Sequence, residues 1–238
     1  MPPEAEPEPV RPVEVSLEGS DWVGQSRLVE VVDQPAWRHQ RYGQQRATRY
    51  RATRHAGRPA LHAQSDAGNS TLRLPLAEPA DPRLQIAFSW YVSRLNERAD
   101  LLDPDIDDAV ARVLLTFEGD RSRFRARDHV LSEIVQLITG EPLPFATLVY
   151  VWDHRYPVGT VIANPHTDRI RLMVVQSGPE GLNRWNDLSR DVAADFRQAF
   201  GEVPGPITGI GLMSDSNNTG ESVQAWFGPL SVTRSGPR

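Results

Sequence analysis

Apolar and polar residues alternate most cleanly along Leu84–Val92, where Leu84, Ile86, Phe88, Trp90 and Val92 share one side of a period-two pattern. That is the pattern of a strand with one face in a core. Residues 109–117 are apolar at nearly every position, with Arg112 and Thr116 as the exceptions, which predicts a central strand covered on both faces. Upstream, turn residues at Gly43, Ala56-Gly57, 66–69 and Ala80-Asp81-Pro82 separate short segments at strand spacing. Further strands are expected at 146–152, 169–175, Ile207–Met213 and 223–232.

Two stretches switch to the helical period. Within 128–138, Val130, Leu131, Ile134, Val135 and Ile138 recur at helical spacing before Gly140. Within 188–200, Leu188, Val192, Phe196 and Phe200 form one stripe, followed by Gly201 and Pro204. No segment repeats at a fixed period, which argues against a solenoid. The pattern therefore predicts a mostly β protein, a jelly-roll-like β-sandwich with two inserted surface helices at about 128–138 and 188–200. Residues 1–15 are rich in proline and glutamate and read as a flexible lead-in to a single domain over 16–234.

Composition narrows the function classes. The chain has 238 residues, 39% hydrophobic and 24% charged, enough apolar material for a core. It has no cysteine, so disulfides and thiolate metal sites are excluded and any metal must sit on oxygen or imidazole. All 26 basic residues are arginine, and the formal charge of −5 argues against a dedicated nucleic-acid binder. No apolar run reaches the length of a membrane span, so no membrane insertion is expected. The Pro/Glu-rich opening is the kind of segment that separates a removed signal from a folded domain, so a periplasmic or extracellular location is expected, with a cytoplasmic one left open.

Several clusters could carry chemistry. The segment 215–221 places Asp215, Asn217 and Thr219 at the first, third and fifth positions of a calcium loop with Gly220 at the sixth, but position twelve is Trp226 where a glutamate is needed. Calcium is therefore one reading and a plain turn the other. Asp100, Asp103, Asp105, Asp107 and Asp108 precede the strand carrying Arg112; they suit either a solvated loop, with Asp107 or Asp108 paired to Arg112, or an acid–base pair for glycan cleavage. Tyr150, Trp152 and His154 share one strand face, which suits stacking against a sugar or equally core packing. The turn 164–168 could add His166 and Asp168 to a site. Seven arginines between Trp37 and Pro59 could meet a polyanion or be neutralised by acids elsewhere.

The motifs Phe88-Ser89-Trp90, Asp107-Asp108-Ala109 with Ala111-Arg112-Val113, Tyr150-Val151-Trp152, Pro157-Val158-Gly159-Thr160, Asn164-Pro165 with Thr167-Asp168, and 215–220 occur in an order that resembles the bacterial family known as domain of unknown function 3047. Arg190-Asp191-Val192, Asp195-Phe196 and 199–202 fit it too. The resemblance spans roughly residues 60–232. It implies an often exported protein with a jelly-roll fold similar to galactose-binding-like modules and no established activity. It also makes Asn217 stand where an aspartate is usual, and makes the 128–138 helix an insertion.

The leading expectation is a binding module for a carbohydrate or other polar ligand, with Arg112, Tyr150, Trp152 and His154 on a sheet face and Asp107 and Asp108 at its rim. The alternatives are a carbohydrate-active enzyme, hydrolase or lyase, with Asp108 or His154 as acid or base, and a structural or interaction protein of the envelope.

Overall fold

The structure is a computed structural model that describes residues 13–14, 17–28, 37–81 and 83–234. In chain order the first elements are β1 (Val13–Glu14), α1 (Asp21–Gln25), β2 (Arg27–Leu28), β3 (Arg38–Arg41), β4 (Arg49–His55), β5 (Arg58–Asp66), β6 (Ser70–Ala80) and β7 (Leu84–Val92). There follow β8 (Ala111–Phe117), α2 (Ala126–Thr139), β9 (Ala146–Asp153), β10 (Val161–Ala163), β11 (Ile170–Ser177) and β12 (Trp185–Asp191). The chain closes with α3 (Val192–Phe200), β13 (Ile207–Met213), β14 (Ser222–Phe227) and β15 (Ser231–Arg234). Of the expected lead-in, Val13–Glu14 adds a short strand against β3, and residues 1–12 and 15–16 lie outside the described residues.

The strands form two sheets. One has eight strands in the order β1-β3-β6-β13-β8-β9-β11-β10; the other has seven, β2-β15-β7-β14-β5-β4 with β12 also on β7. β14 and β15 lie end to end along one edge of β7, pairing with its two halves, while β12 takes the opposite edge over its whole length. The stretch expected as one strand over 223–232 is thus two, broken at Gly228-Pro229 because proline has no N–H to give a ladder.

The mostly β, two-sheet sandwich expected from the alternation is what forms. Leu84, Ile86, Phe88, Trp90 and Val92 of β7 are buried in a cluster that includes Leu72, Leu74, Val113, Leu115, Leu148, Tyr150, Trp152, Ile210 and Leu212 from the facing sheet. Aromatic rings bridge the two sheets: Phe88 lies 5.8 Å from Tyr150 and Trp90 lies 6.0 Å from Trp152, both pairs near parallel. A second apolar cluster, of Leu101, Ala109, Val149, Val151, Ile162, Leu172 and Val174, lies on the other face of the eight-stranded sheet. It forms where residues 99–110 cover β9, β11 and the edge strand β10. β8 is therefore central, but only in part covered on its second side: Leu114 and Thr116 are half-buried.

The helices depart from expectation in three ways. A short helix, α1, was not foreseen. α3 begins at Val192, not 188, because 188–191 pair with β7 and Asp191 accepts from the Ala194 N–H at 2.9 Å, capping the helix. α2 forms where expected, yet of its expected stripe only Leu131 and Val135 are half-buried. Val130, Ile134, Leu137 and Ile138 are exposed, while Asp128, Ser132 and Thr139 are buried. Polar bonds explain this: Asp128 accepts from Thr167 Oγ1 (2.5 Å) and from the Arg125 N–H (3.0 Å), and Ser132 Oγ accepts from the Leu143 N–H (3.2 Å). Replacing Ile134 or Leu137 by Gln should accordingly change the unfolding free energy by no more than about 0.5 kcal/mol. Phe196→Ala, which empties a buried site against Phe117, should cost roughly 3–5 kcal/mol. Urea unfolding of the three variants checks the contrast, and a large loss at Leu137 would mean that this face is covered.

Candidate functional site

A cleft of about 1030 Å³ lies over the outer face of the eight-stranded sheet. Register places its floor. One row across β3, β6, β13 and β8 is Gln40, Thr71, Met213 and Arg112. The next is Arg73, Gly211, Leu114 and Val149, and a third is Gly209, Thr116 and Thr147. Their neighbours in sequence, such as Leu72, Leu212 and Val113, point into the core, as the period of two requires.

Two glycines keep the floor low. A Cβ at Gly211 would lie 3.0 Å from the Thr71 methyl and 3.4 Å from Leu114 Cβ; one at Gly209 would lie 3.0 Å from Thr116 Oγ1 and 3.2 Å from the Leu74 carbonyl oxygen. Side chains there would occupy the cleft. Its walls come from loops: Pro104 and Asp107 before β8, Asn164 and His166 after β10, Asn217 and Asn218 after β13, and 141–145 after α2. Arg73 pairs with Glu141 at 2.6 Å and so joins the floor to the wall following α2.

At one end of the floor Arg112 is 7% exposed and Asp215 3%. Arg112 Nε and Nη2 donate to the two carboxylate oxygens of Asp215, both at 2.9 Å, and Nη2 also reaches the Asp107 carbonyl at 2.5 Å. Asp215 accepts further from the Ala109 N–H at 3.2 Å. Burial outweighs the guanidinium and raises the Asp215 carboxyl to about 6, leaving it ionised at neutral pH. Asp108, 2% exposed, accepts from the Asn218 N–H (3.2 Å), the Thr219 N–H (2.7 Å) and Thr219 Oγ1 (2.6 Å). Asp107 reaches the cleft. Its Oδ1 accepts from Asn218 Nδ2 at 2.7 Å, and burial, reinforced by Asp108, raises its carboxyl above the usual range against the pull of Arg112. His166 is close enough to act on it electrostatically.

The residues read from the sequence scatter across this picture. Asp107 and Arg112 do line one cleft, with Asp108 just behind. The arginine's carboxylate partner is Asp215, however, and Asp107 gives it only a carbonyl. Tyr150 and Trp152 share a face as expected, but that face is the core: they are 0% and 1% exposed, held by Tyr150 Oη to Asp195 (2.9 Å) and Trp152 Nε1 to the Gly178 carbonyl (3.1 Å). His154 follows β9, half-buried beside Asp100 and outside the cleft. As an acid or base, Asp108 has both carboxylate oxygens already bonded.

The 215–221 segment spends its polar groups on the protein. Asp215 faces Arg112, Asn217 donates to Asn218, and Thr219 bonds Asp108 and Asn96. Among the described residues no group of three or more acidic or imidazole side chains is placed to hold a metal ion. In the arginine-rich stretch, Arg49, Arg54 and Arg58 pair with Asp66, Asp21 and Asp187, the neutralised-face alternative.

Sequence reasoning missed Gln40, Asn69, Thr71 and Arg73 as site residues, because they come from two segments that only the sheet order brings beside Arg112. Gln40 is 3% exposed, and its Oε1, like Asn69 Oδ1, is buried without a hydrogen-bond partner. His166 was among the expected polar turn residues and does line the cleft.

The opposite sheet offers a different surface. His62, Trp226, Tyr91 and Trp185 lie in one row across β5, β14, β7 and β12. Their rings face one another: His55 and His62 stack on Trp226 at 3.9 and 4.8 Å, and Tyr91 meets it edge-on at 5.6 Å. The faces that a flat ligand would need are thus taken up within the row.

Fold and cleft together define a two-sheet β-sandwich with an open groove, its floor of mixed polar and apolar residues, on one outer face. The chain belongs to the family described as "Protein of unknown function (DUF3047)", whose model matches residues 35–231. No curated protein matches it in sequence. Solved structures similar to it include the family 11 carbohydrate-binding module of cellulosomal cellulase Lic26A-Cel5E of Clostridium thermocellum, at 9% identity over 85% of this chain and 89% of that one, TM-score 0.43. Another is the cellulose-induced protein Cip1, at 12% identity over 84% of this chain and 91% of that one, TM-score 0.35.

The buried pair makes a direct prediction. Arg112→Met should cost about 3–5 kcal/mol by stranding the Asp215 charge, and adding Asp215→Leu should recover most of that. Because the folded carboxyl sits above its unfolded value, its contribution to stability is fully present below about pH 4 and is lost as pH rises through about 6. The double variant should therefore show a flatter stability profile than the parent across that window in urea titrations. An unchanged slope would contradict the assignment.

Proposed function

We propose that the protein is a binding module for a carbohydrate or other polyhydroxylated ligand, and that the cleft over the eight-stranded sheet is where the ligand sits. The observation that supports this reading best is a cleft of about 1030 Å³ whose floor is kept open by two glycines and whose lining sets amides and hydroxyls among apolar side chains such as Leu114, Met213 and Phe145. Gln40, Asn69, Asn164, Asn218, Thr71 and Thr147 are side chains that match sugar hydroxyls in size and in donor and acceptor count. The unpartnered Gln40 Oε1 and Asn69 Oδ1 add to it, since buried acceptors are ordinarily satisfied and a ligand hydroxyl would satisfy them.

A second reading, a glycan hydrolase or lyase, draws support from one observation: Asp107, with its raised carboxyl, and His166 share the cleft and interact. Turnover of a bound oligosaccharide that disappears in both Asp107→Asn and His166→Ala would favour it; binding with no turnover would remove it.

The binding reading is tested by thermal unfolding with a panel of neutral oligosaccharides, because a ligand selective for the folded state raises the midpoint by about RT ln(1 + [L]/Kd). At least one oligosaccharide should raise the midpoint, and Leu114→Trp, which fills the floor without touching the inter-sheet core, should abolish that shift while unfolding cooperatively. A panel with no response at concentrations that cover millimolar affinity would reject the proposal.

A further inference from the structure

We propose that α2 and the arginine-rich segment leading into it form a surface that docks peripherally on an anionic lipid bilayer. The proposal is independent of the cleft and of what the cleft binds. Its first support is a helix face that packing leaves bare. Val130, Ile134, Leu137 and Ile138 are 40–72% exposed, and the other exposed large apolar side chains among the described residues, Leu102, Val158 and Val203, lie in separate loops. Spaced by three or four, the four α2 residues form one continuous stripe, with Arg127 one turn ahead of Val130 on the same side. His129, Glu133 and Gln136 form a separate polar row beside it. The stripe is held outward, because Asp128 and Ser132 on the opposite side of the helix are bonded to Thr167 and Leu143.

The second support is charge. Positions 121, 123, 125 and 127, just before α2 and in its first turn, are all arginine and all exposed. Arg123 pairs with Glu202, while Arg125 and Arg127 pair with Asp168. The side chains of these three arginines are 47–69% exposed and the two carboxylates only 20–21%, so the guanidiniums stand outside their counter-charges. Both carboxylates are shared further: Arg169 donates to Glu202, and Arg171 acts on Asp168. Asp120 and the buried Asp128 are the remaining acids tied to the segment, so six arginines meet four carboxylates in a chain whose formal charge is −5. Arg121 lies over the Phe124 ring and has no carboxylate partner among the described residues.

An apolar stripe bordered by arginines suits the plane of a lipid interface, with the apolar side chains at the acyl boundary and the guanidiniums at anionic headgroups. Shape favours a bilayer over a protein partner. Among the described residues no strand or helix packs extensively on α2, so the stripe is a convex ridge, and a fluid interface accepts such a ridge without a groove made to fit it. A stable dimer needs about 20–30 residues a side, more than one ridge of this length offers. Charge then selects the lipid, since the surplus guanidiniums gain from anionic headgroups and not from neutral ones.

The test is co-sedimentation of the full chain with vesicles of phosphatidylcholine alone and of phosphatidylcholine mixed with phosphatidylglycerol. Binding to the mixed vesicles should be about tenfold stronger or more, and 0.5 M salt should remove most of that advantage. Leu137→Gln, and separately Arg125→Gln combined with Arg127→Gln, should each weaken binding by about fivefold or more. Both variants should keep the unfolding midpoint in place, because the altered side chains are exposed. Equal binding to the two kinds of vesicle, or binding that survives Leu137→Gln unchanged, would overturn the proposal. No vesicle binding, with a concentration-dependent dimer in sedimentation velocity that Leu137→Gln dissolves, would overturn it too and assign the stripe to a second copy of the chain.

Discussion

The buried ion pair between Arg112 and Asp215 is the contact on which the cleft depends. Its arginine lies on β8, near the middle of the eight-stranded sheet, and the pair ties together two separate pieces of chain: the segment before β8, through the Asp107 carbonyl and the Ala109 N–H, and the loop leaving β13. A guanidinium so deeply placed is tolerable only when its counter-charge is held in register. The main-chain bond from the Asp215 N–H to the Ala109 carbonyl, 3.1 Å, supplies that register. Asp108 then fixes the 216–219 turn from behind, so that Asn218 faces Asp107 across the rim.

A sheet with two outer faces must cover or expose each, and here the eight-stranded sheet does both on one side. Over β9 and β11 a small second core closes beneath residues 99–110. Over β6, β13 and β8 the apolar side chains are few, Met213 and Leu114, because Gly209 and Gly211 contribute no side chains and Thr71 and Thr116 are polar. The boundary between the covered and uncovered parts is the cleft wall. Ligand recognition in such a groove follows from hydrogen-bond count and local charge, and both are set by side chains whose own orientation the surrounding bonds fix.

How much of this was legible in the sequence varies with the range of the interaction. The period-two run Leu84–Val92 announced itself because one of its faces is wholly buried. The break at Gly228-Pro229 and the β12 strand were harder: 188–191 carries helix-compatible spacing, and only pairing with β7 decides its state. α2 misled in a different way, since its apolar stripe is real but its packing is done by Asp128 and Ser132, whose partners Thr167 and Leu143 are distant in sequence. Tyr150 and Trp152 could not be assigned to core or surface without knowing which face of β9 looks at β7. The cleft residues Gln40 and Thr71 carry no local signal; sheet order alone makes them neighbours of Arg112.

The most direct test of the central claim is a crystal structure of the protein soaked with a bound oligosaccharide. The account predicts sugar density along the row from Gln40 to Arg112, with a ring substituent within hydrogen-bond distance of Gln40 Oε1. Density on the outer face of the other sheet, over Trp185 and Trp226, with the cleft empty would contradict it.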